Sequence, residues 1–347
     1  MRIAHLRNVC ADAYSGGVSG TNPMRDSQGF AAISGDMTVA ASGTALATAT
    51  SEGAIAMGKP ERAANADMYL DAPSAGLADS PALQRAHGVA RLSFRRKADE
   101  TRLEQLYQEG CAKIRLPTGT AGAPREAILI NTAGGLTGGD QLTTEIIVGP
   151  RAGAVVTTQA CERIYKSSGD VATVSNSLRV GTGAHLAWLP QETILFNGGR
   201  LQRKLDVDLA LDADFLGLEA IVLGREMMGE SVNSGMLHDR WRVRRDGVLV
   251  FADDLRFAGD IAVTLGRRSV LNGRRAMATL LAVGDDSERL LDPVRALIGE
   301  EEGGASAFDG RLIIRLVAPS SYLLRGRLEP IITLLLRGRA LPKVWRL

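Results

Sequence analysis

From Val89 to Leu255 the chain alternates short runs of Val, Ile, Leu and Thr with Gly-containing turns, about 8 to 14 residues apart. Runs of that length bounded by turn residues predict antiparallel or coiled β-structure. The expected strands are Val89 to Arg95, Ala127 to Asn131, Gln141 to Val148, Ala154 to Ala160, Ser175 to Val180 and His185 to Leu189. Leu201 to Leu209, Phe215 to Leu223, Leu237 to Arg244 and Val248 to Leu255 complete the set. Helical spacing comes late. Leu290, Leu291, Val294, Leu297 and Ile298 fall at i, i+3, i+4 intervals behind Ser287, a candidate N-cap. A second helix is expected from Ser320 to about Arg337, kinked or restarted at Pro330.

One strand-turn-strand unit recurs. Val148-Gly149-Pro150-Arg151-Ala152-Gly153-Ala154 turns the chain into Val155 to Gln159, and Val180-Gly181-Thr182-Gly183-Ala184 turns it into His185 to Gln191. Leu209 to Ala213, leading into Phe215 to Glu219, is a weaker third copy. A repeat of about 30 residues predicts stacked coils of sheet, favoured here over an immunoglobulin-type sandwich.

Composition changes the picture at the N-terminus. Up to about Ala82, Ala, Gly, Ser and Thr make up about half the residues, and large apolar side chains are few. Such a stretch buries too little apolar surface to offset a chain entropy of roughly 1–2 kcal/mol per residue, so 1–82 is expected to be a disordered extension and 83–347 one β-rich domain. A flexible tail and a start codon placed too far upstream, with Met57 or Met68 as the true start, both account for it. No compact apolar core follows Arg2 and Arg7, so a secretory signal is not expected.

The 41 basic and 39 acidic residues leave a net charge of +2. The first 82 residues hold five of the bases and eight of the acids, so the remainder carries +5, too little to argue for nucleic acid. No apolar run approaches the roughly 20 residues that span a bilayer, so no membrane partner is expected. Cys10, Cys111 and Cys161 have neither disulfide-framework nor zinc spacing, in keeping with a cytoplasmic setting.

Candidate chemistry is sparse. Asn131-Thr132-Ala133-Gly134-Gly135-Leu136-Thr137-Gly138-Gly139-Asp140 lacks the Gly-Lys-Ser/Thr ending of a phosphate loop and runs into a strand where a helix N-terminus is needed. Its glycines predict a tight connection with positive φ or close backbone packing, with Asp140 as a turn cap or a polar site residue. Glu219 is the one charge in Phe215 to Leu223, a strand apolar on both faces. It needs an ion-pair partner, such as Arg225 or Arg256, or a polar interior. Asp253 and Asp254, after Val248 to Phe251, pose the same question. Arg225-Glu226-Met227-Met228-Gly229-Glu230 sets two adaptable Met side chains among charges, a composition suited to a partner surface or to filling a core gap. No Ser/His/Asp or Cys/His set suggests catalysis, so no catalytic residue and no tightly bound cofactor are expected.

Six segments in order resemble one family, the urease accessory protein UreD, also called UreH. They are Asn131 to Leu142; Tyr165-Lys166-Ser167-Ser168-Gly169; Trp188-Leu189-Pro190-Gln191-Glu192; Leu223-Gly224-Arg225 with Gly229-Glu230; Gly235-Met236-Leu237; and Leu341-Pro342-Lys343-Val344-Trp345. The resemblance runs from about Gly88 to Leu347. Pro342-Lys343 replaces the family's usual Pro-Arg. The resemblance implies a mainly β, flattened helix-like body with two helices and a non-enzymatic role: a scaffold that contacts apo-urease and works with UreF and the GTPase UreG to install nickel and a carbamylated lysine. On that footing Asp140, Glu219 and Asp253 are expected to line a hydrated path giving transient oxygen contacts to Ni²⁺. Arg225, Met227 and Met228, with the C-terminal helix, are expected to meet partners. A hydrolase or transferase, and a generic β-rich binding module, are the competing readings. The first lacks a convergent nucleophile and base; the second leaves the isolated acids unexplained.

Overall fold

The computed structural model describes residues 84–119, 122–299 and 302–346; the extension expected over 1–82 lies outside them. The described residues form seventeen strands: β1 (His87–Lys97), β2 (Glu100–Gly110), β3 (Ala112–Arg115), β4 (Arg125–Asn131), β5 (Gln141–Val148), β6 (Gly153–Thr158), β7 (Glu162–Ile164), β8 (Ala172–Val180), β9 (His185–Leu189), β10 (Thr193–Leu195), β11 (Arg200–Leu209), β12 (Asp214–Leu223), β13 (Ser234–Arg245), β14 (Val248–Asp260), β15 (Ala276–Val283), β16 (Gly303–Phe308) and β17 (Arg311–Ala318). The helices are α1 (Ile261–Gly266), α2 (Leu291–Ile298) and α3 (Ser321–Leu335).

The strands form two sheets, ordered β14-β13-β11-β8-β5-β1-β2 and β16-β17-β15-β12-β9-β6-β4-β3. From β4 to β13 the chain passes back and forth between them, with β7 and β10 on the way. Neighbours within a sheet are therefore one whole coil apart and run parallel: β5 with β8, β8 with β11, β11 with β13, and β4 with β6, β6 with β9, β9 with β12. The body is a solenoid of stacked coils, as its repeat predicts.

The repeat is one corner seen three times. Ala152, Ala184 and Ala213 are buried, and each donates its N–H to the carbonyl three residues back, on Gly149, Gly181 and Ala210 (3.1, 3.0 and 3.1 Å). Successive corners join through Gly181 N–H to Val148 O (2.8 Å) and Ala210 N–H to Val180 O (2.9 Å). A second seam stacks Leu136, Ile164, Leu195 and Leu223, all buried, through bonds such as Tyr165 N–H to Leu136 O (2.8 Å), Phe196 N–H to Ile164 O (3.0 Å) and Gly224 N–H to Leu195 O (2.8 Å). Small residues at one corner and branched apolar ones at the other close each coil with its backbone polar groups paired.

Two local expectations change. Ser287 does not cap α2: a 3-10 turn, Glu288–Leu290, intervenes, and the buried Ser287 hydroxyl instead accepts from Arg337 Nη2 at 3.4 Å. Helix α3 is capped by Ser320, whose side chain accepts from Leu323 N–H, and runs unbroken through Pro330. The long α3 covers the second sheet, where Leu324, Leu328, Ile331, Ile332 and Leu335 pack on β15 and β17.

The C-terminal segment is tied to the Trp188 to Glu192 segment. Trp345, fully buried, donates its indole N–H to Leu189 O (3.0 Å), and Arg325 on α3 reaches Gln191 Oε1 (2.7 Å), Glu192 Oε1 (3.2 Å) and Val344 O (3.0 Å). Two segments about 150 residues apart in sequence, both carrying the family resemblance, thus form one lock. Glu192 is buried in it.

Candidate functional site

The solenoid is not apolar throughout. On β11 the inward positions are Leu201, Arg203, Leu205, Val207 and Leu209; on β13 they are Leu237, Asp239, Trp241 and Val243. Arg203 and Asp239 are partners in the β11–β13 register. The Arg203 guanidinium grips Asp239 with two bonds, Nε to Oδ1 (3.1 Å) and Nη2 to Oδ2 (2.6 Å), and places Nη1 2.6 Å from Glu219 Oε2 on the opposite sheet. The same Nη1 donates to Thr193 Oγ1 (2.8 Å), while the Trp188 indole N–H donates to Glu219 Oε1 (3.2 Å).

All three charged residues are at least 95% buried. Glu219 therefore does have an ion-pair partner, but it is Arg203 from the facing sheet and not Arg225 or Arg256. Two carboxylates share one guanidinium, so the cluster carries one negative charge when all three are ionised. Burial raises the Glu219 pKa, Arg203 opposes the rise, and Asp239 adds to it. Glu219 Oε2, though close to Arg203, accepts no aligned hydrogen bond, so this oxygen has free lone pairs.

That oxygen belongs to a residue lining a cavity of about 200 Å³, with Asn131, Glu162, Trp188, Thr193 and Arg203 also on its wall. A water needs about 10–15 Å³ of such volume, so a file of several fits. Gly134, Gly135 and Cys161 line it as well. Glu162 accepts from Asn131 Nδ2 at 3.1 and 3.2 Å, and burial lifts its pKa from the ordinary 4.5 to about 7 against that bond.

The row continues beyond Glu219. Thr279 on β15 is the register partner of Glu219, and Arg315 on β17 is the partner of Thr279. Arg315 donates to Thr279 Oγ1 (2.6 Å) and pairs with Asp253 (2.7 Å), which is in the same inward phase of β14 as Phe251 and Phe257. The Arg315 side chain is 43% exposed, so this end of the row meets solvent. Two of the three expected path residues, Glu219 and Asp253, thus lie on one interior row.

Asp140 is placed differently. One carboxylate oxygen accepts from Ala86 N–H and the other from Thr137 N–H, both at 2.7 Å, so it holds the glycine-rich connection to the strand entering β1. The glycines are needed for conformation and close packing. Gly139 has φ +90°, and a Cβ there would meet Arg85 at 2.8 Å; Gly135 has φ +147°, and a Cβ there would strike the Tyr165 ring and lie 2.8 Å from Arg163 O. Among the described residues no group of three His, Cys, Asp or Glu side chains could hold a metal ion as a closed site.

Arg225, Met227 and Met228 lie elsewhere, on a loop over the end of β12. Arg225 is bound to Glu230 through Nε and Nη2 (3.0 and 3.2 Å), and its guanidinium lies 4.7 Å from the centre of the Phe196 ring, which meets Tyr165 edge-on at 5.2 Å. On this rigid base a single 3-10 turn, Glu226–Met228, presents Met227 (97% exposed) and Met228 (73%) to solvent. These Met side chains fill no core gap.

Arg203, Asp239 and Glu162 were not among the expected site residues. The first two are legible in principle, since each stands in phase with inward apolar residues of its strand; Glu162, on a three-residue strand, has no periodic signal.

Against known proteins, residues 86–346 match the family described as UreD urease accessory protein. A protein of Chelativorans sp. (strain BNC1) named urease accessory protein UreD is 52% identical over 268 residues, 77% of this chain and 96% of the relative. Proteins of the same name are 50% identical in Rhizobium leguminosarum bv. viciae (76% of this chain, 96% of the relative) and 48% in Agrobacterium fabrum (76% and 92%).

Proposed function

The chain belongs to the UreD family of urease accessory proteins, and from that membership we propose that it binds apo-urease and, with UreF and the GTPase UreG, enables nickel to enter the urease active site. It does so as a scaffold and chaperone and not as an enzyme, in the cytoplasm, with nickel as transient cargo and no resident cofactor. The interior row is the path. Glu162 attracts the hydrated dication at the cavity wall, Glu219 gives it an oxygen contact midway, and Asp253 receives it at the solvent-facing end. Asp140 acts at one remove, by holding the glycine-rich connection beside the cavity.

The observation that carries this reading is Glu219: a buried carboxylate on a cavity wall, with one oxygen lacking an aligned donor. Arg203 is central to the chemistry. A dication beside Glu219 must face a guanidinium, and because Asp239 holds that guanidinium with two bonds, the cation can compete for Glu219 without stripping Arg203 of its charge partner. Contacts made this way are weak and reversible, as delivery requires, where a closed ligand cage would retain the metal. The protruding Met227-Met228 loop supplies the partner surface.

Deleting this chain from a urease-positive cell and assaying urease with excess nickel tests the role. Loss of activity with urease protein still present is expected, and undiminished activity would contradict it. Nickel-dependent capture of urease by the purified chain separates this reading from a generic binding module.

A further inference from the structure

The Met227-Met228 loop forms one side of an open hollow. Glu226 and Gly229 face Asn272, Gly273, Arg275 and Pro319 across it. The two sides are physically joined, since Leu223 N–H bonds to Arg275 O (2.8 Å) just before the loop begins. The carbonyl of Arg267 accepts from Asn272 N–H (3.0 Å), which sets the exposed Arg267 and its neighbour Arg268, at the end of α1 with its 61% exposed Val263, beside the Asn272 side of the hollow and not in its lining. Among the described residues, the side chains of Arg267, Arg268 and Arg275 have no hydrogen bond and no carboxylate partner.

A bare pair of exposed Met side chains would suit any apolar partner. Guanidinium groups left without carboxylates beside them narrow the choice, because Arg offers fork-like donors matched to carboxylates and loses little hydration on pairing. We propose that this hollow docks an acidic protein segment, in which carboxylates pair with Arg267, Arg268 and Arg275 while one or two apolar side chains cover Met227 and Met228. Glu226, the acid lining the hollow, disfavours carboxylates directly beside the loop and so sets the segment's orientation, apolar side toward Met227 and acidic side toward the Arg residues. The proposal rests on the loop being a partner surface and adds the chemistry of what it recognises.

The test uses the full chain with purified UreF, UreG and apo-urease in turn, at low ionic strength and in about 1 M salt, where charges are screened beyond about 3 Å. For one of the three, the triple variant Arg267→Glu, Arg268→Glu, Arg275→Glu is expected to weaken binding about tenfold or more at low salt, and the unmodified chain's binding is expected to fall in high salt. If Met227→Asp abolishes binding while the triple variant binds normally, the acidic segment is wrong and the Met-loop reading stands. If neither variant changes binding to any of the three, both are wrong. If the triple variant leaves all three unchanged but loses sedimentation with vesicles rich in anionic phospholipid, the surface is a membrane contact and the proposal is overturned.

Discussion

Arg203 and Glu219 face one another across the interior of the solenoid, 2.6 Å apart, although they arise from different sheets. Neither can be understood alone. Arg203 is held by Asp239 as well, so the triad is unequal: the guanidinium has two carboxylates, while each carboxylate has one guanidinium. Breaking a buried ion pair usually costs about 3–5 kcal/mol because an uncompensated charge is left inside. Here that cost depends on which member is removed. We expect Glu219→Gln to fold, because Arg203 keeps its two bonds to Asp239 and the amide can still accept from Trp188. Arg203→Met leaves two carboxylates facing each other and should lose several kcal/mol or fail to fold. Thermal unfolding of the two variants checks the ranking, and equal losses would show that the triad is not organised around Arg203.

Glu162 makes stability depend on pH in a particular direction. Its folded pKa of about 7 exceeds the ordinary 4.5, so the folded protein holds the proton more tightly than the unfolded chain. This contribution, at most about 3 kcal/mol, is complete below about pH 4 and lost as pH rises through 7. Glu162→Gln removes the titration while keeping one acceptor for Asn131. The variant's melting temperature should fall less than the parent's between pH 5 and pH 8, and parallel curves would place Glu162 outside the buried site.

Asp140 joins stability to position. Its two backbone bonds are worth about 1–2 kcal/mol each if left unmade. Asp140→Leu should lower the unfolding free energy by that order and disturb the cavity lining, so a loss of urease activation in this variant should be accompanied by a loss of stability. In Glu219→Gln, activation should fall while the fold remains. Equal stability of Asp140→Leu and the parent, measured by denaturant unfolding, would contradict the role as a cap.

Much of the fold is legible in the sequence because a coil repeats its corner. Ala152, Ala184 and Ala213 show the period, and the β5 and β9 boundaries coincide with the expected runs. The strands that escape are those whose setting is tertiary. Glu100–Gly110 is an edge strand exposed along most of its length and reads as a polar segment, whereas Ala276–Val283 is buried on both faces and has no alternation. The site divides in the same way. Glu219 stands out as a lone charge in an apolar strand, but its partner lies 16 residues away on another sheet, and only the stacking of coils brings the two together. The lock between Trp345 and Leu189 is equally invisible before folding.

The Met loop should be separable from the interior. Met227 is almost wholly exposed, so Met227→Asp should leave the melting temperature unchanged and remove partner capture. Co-purification with UreF, UreG and apo-urease is the check; undiminished recovery of all three would remove the loop from the partner surface.

The interior path is tested most directly by the nickel content of urease matured in cells where this chain carries Glu219→Gln together with Asp253→Asn, at limiting nickel and with recovery of UreF and UreG confirmed to match the parent. Nickel per urease should fall several-fold and recover in part when external nickel is raised. Urease as rich in nickel as that made with the parent chain would mean that the carboxylates inside this solenoid carry no cargo.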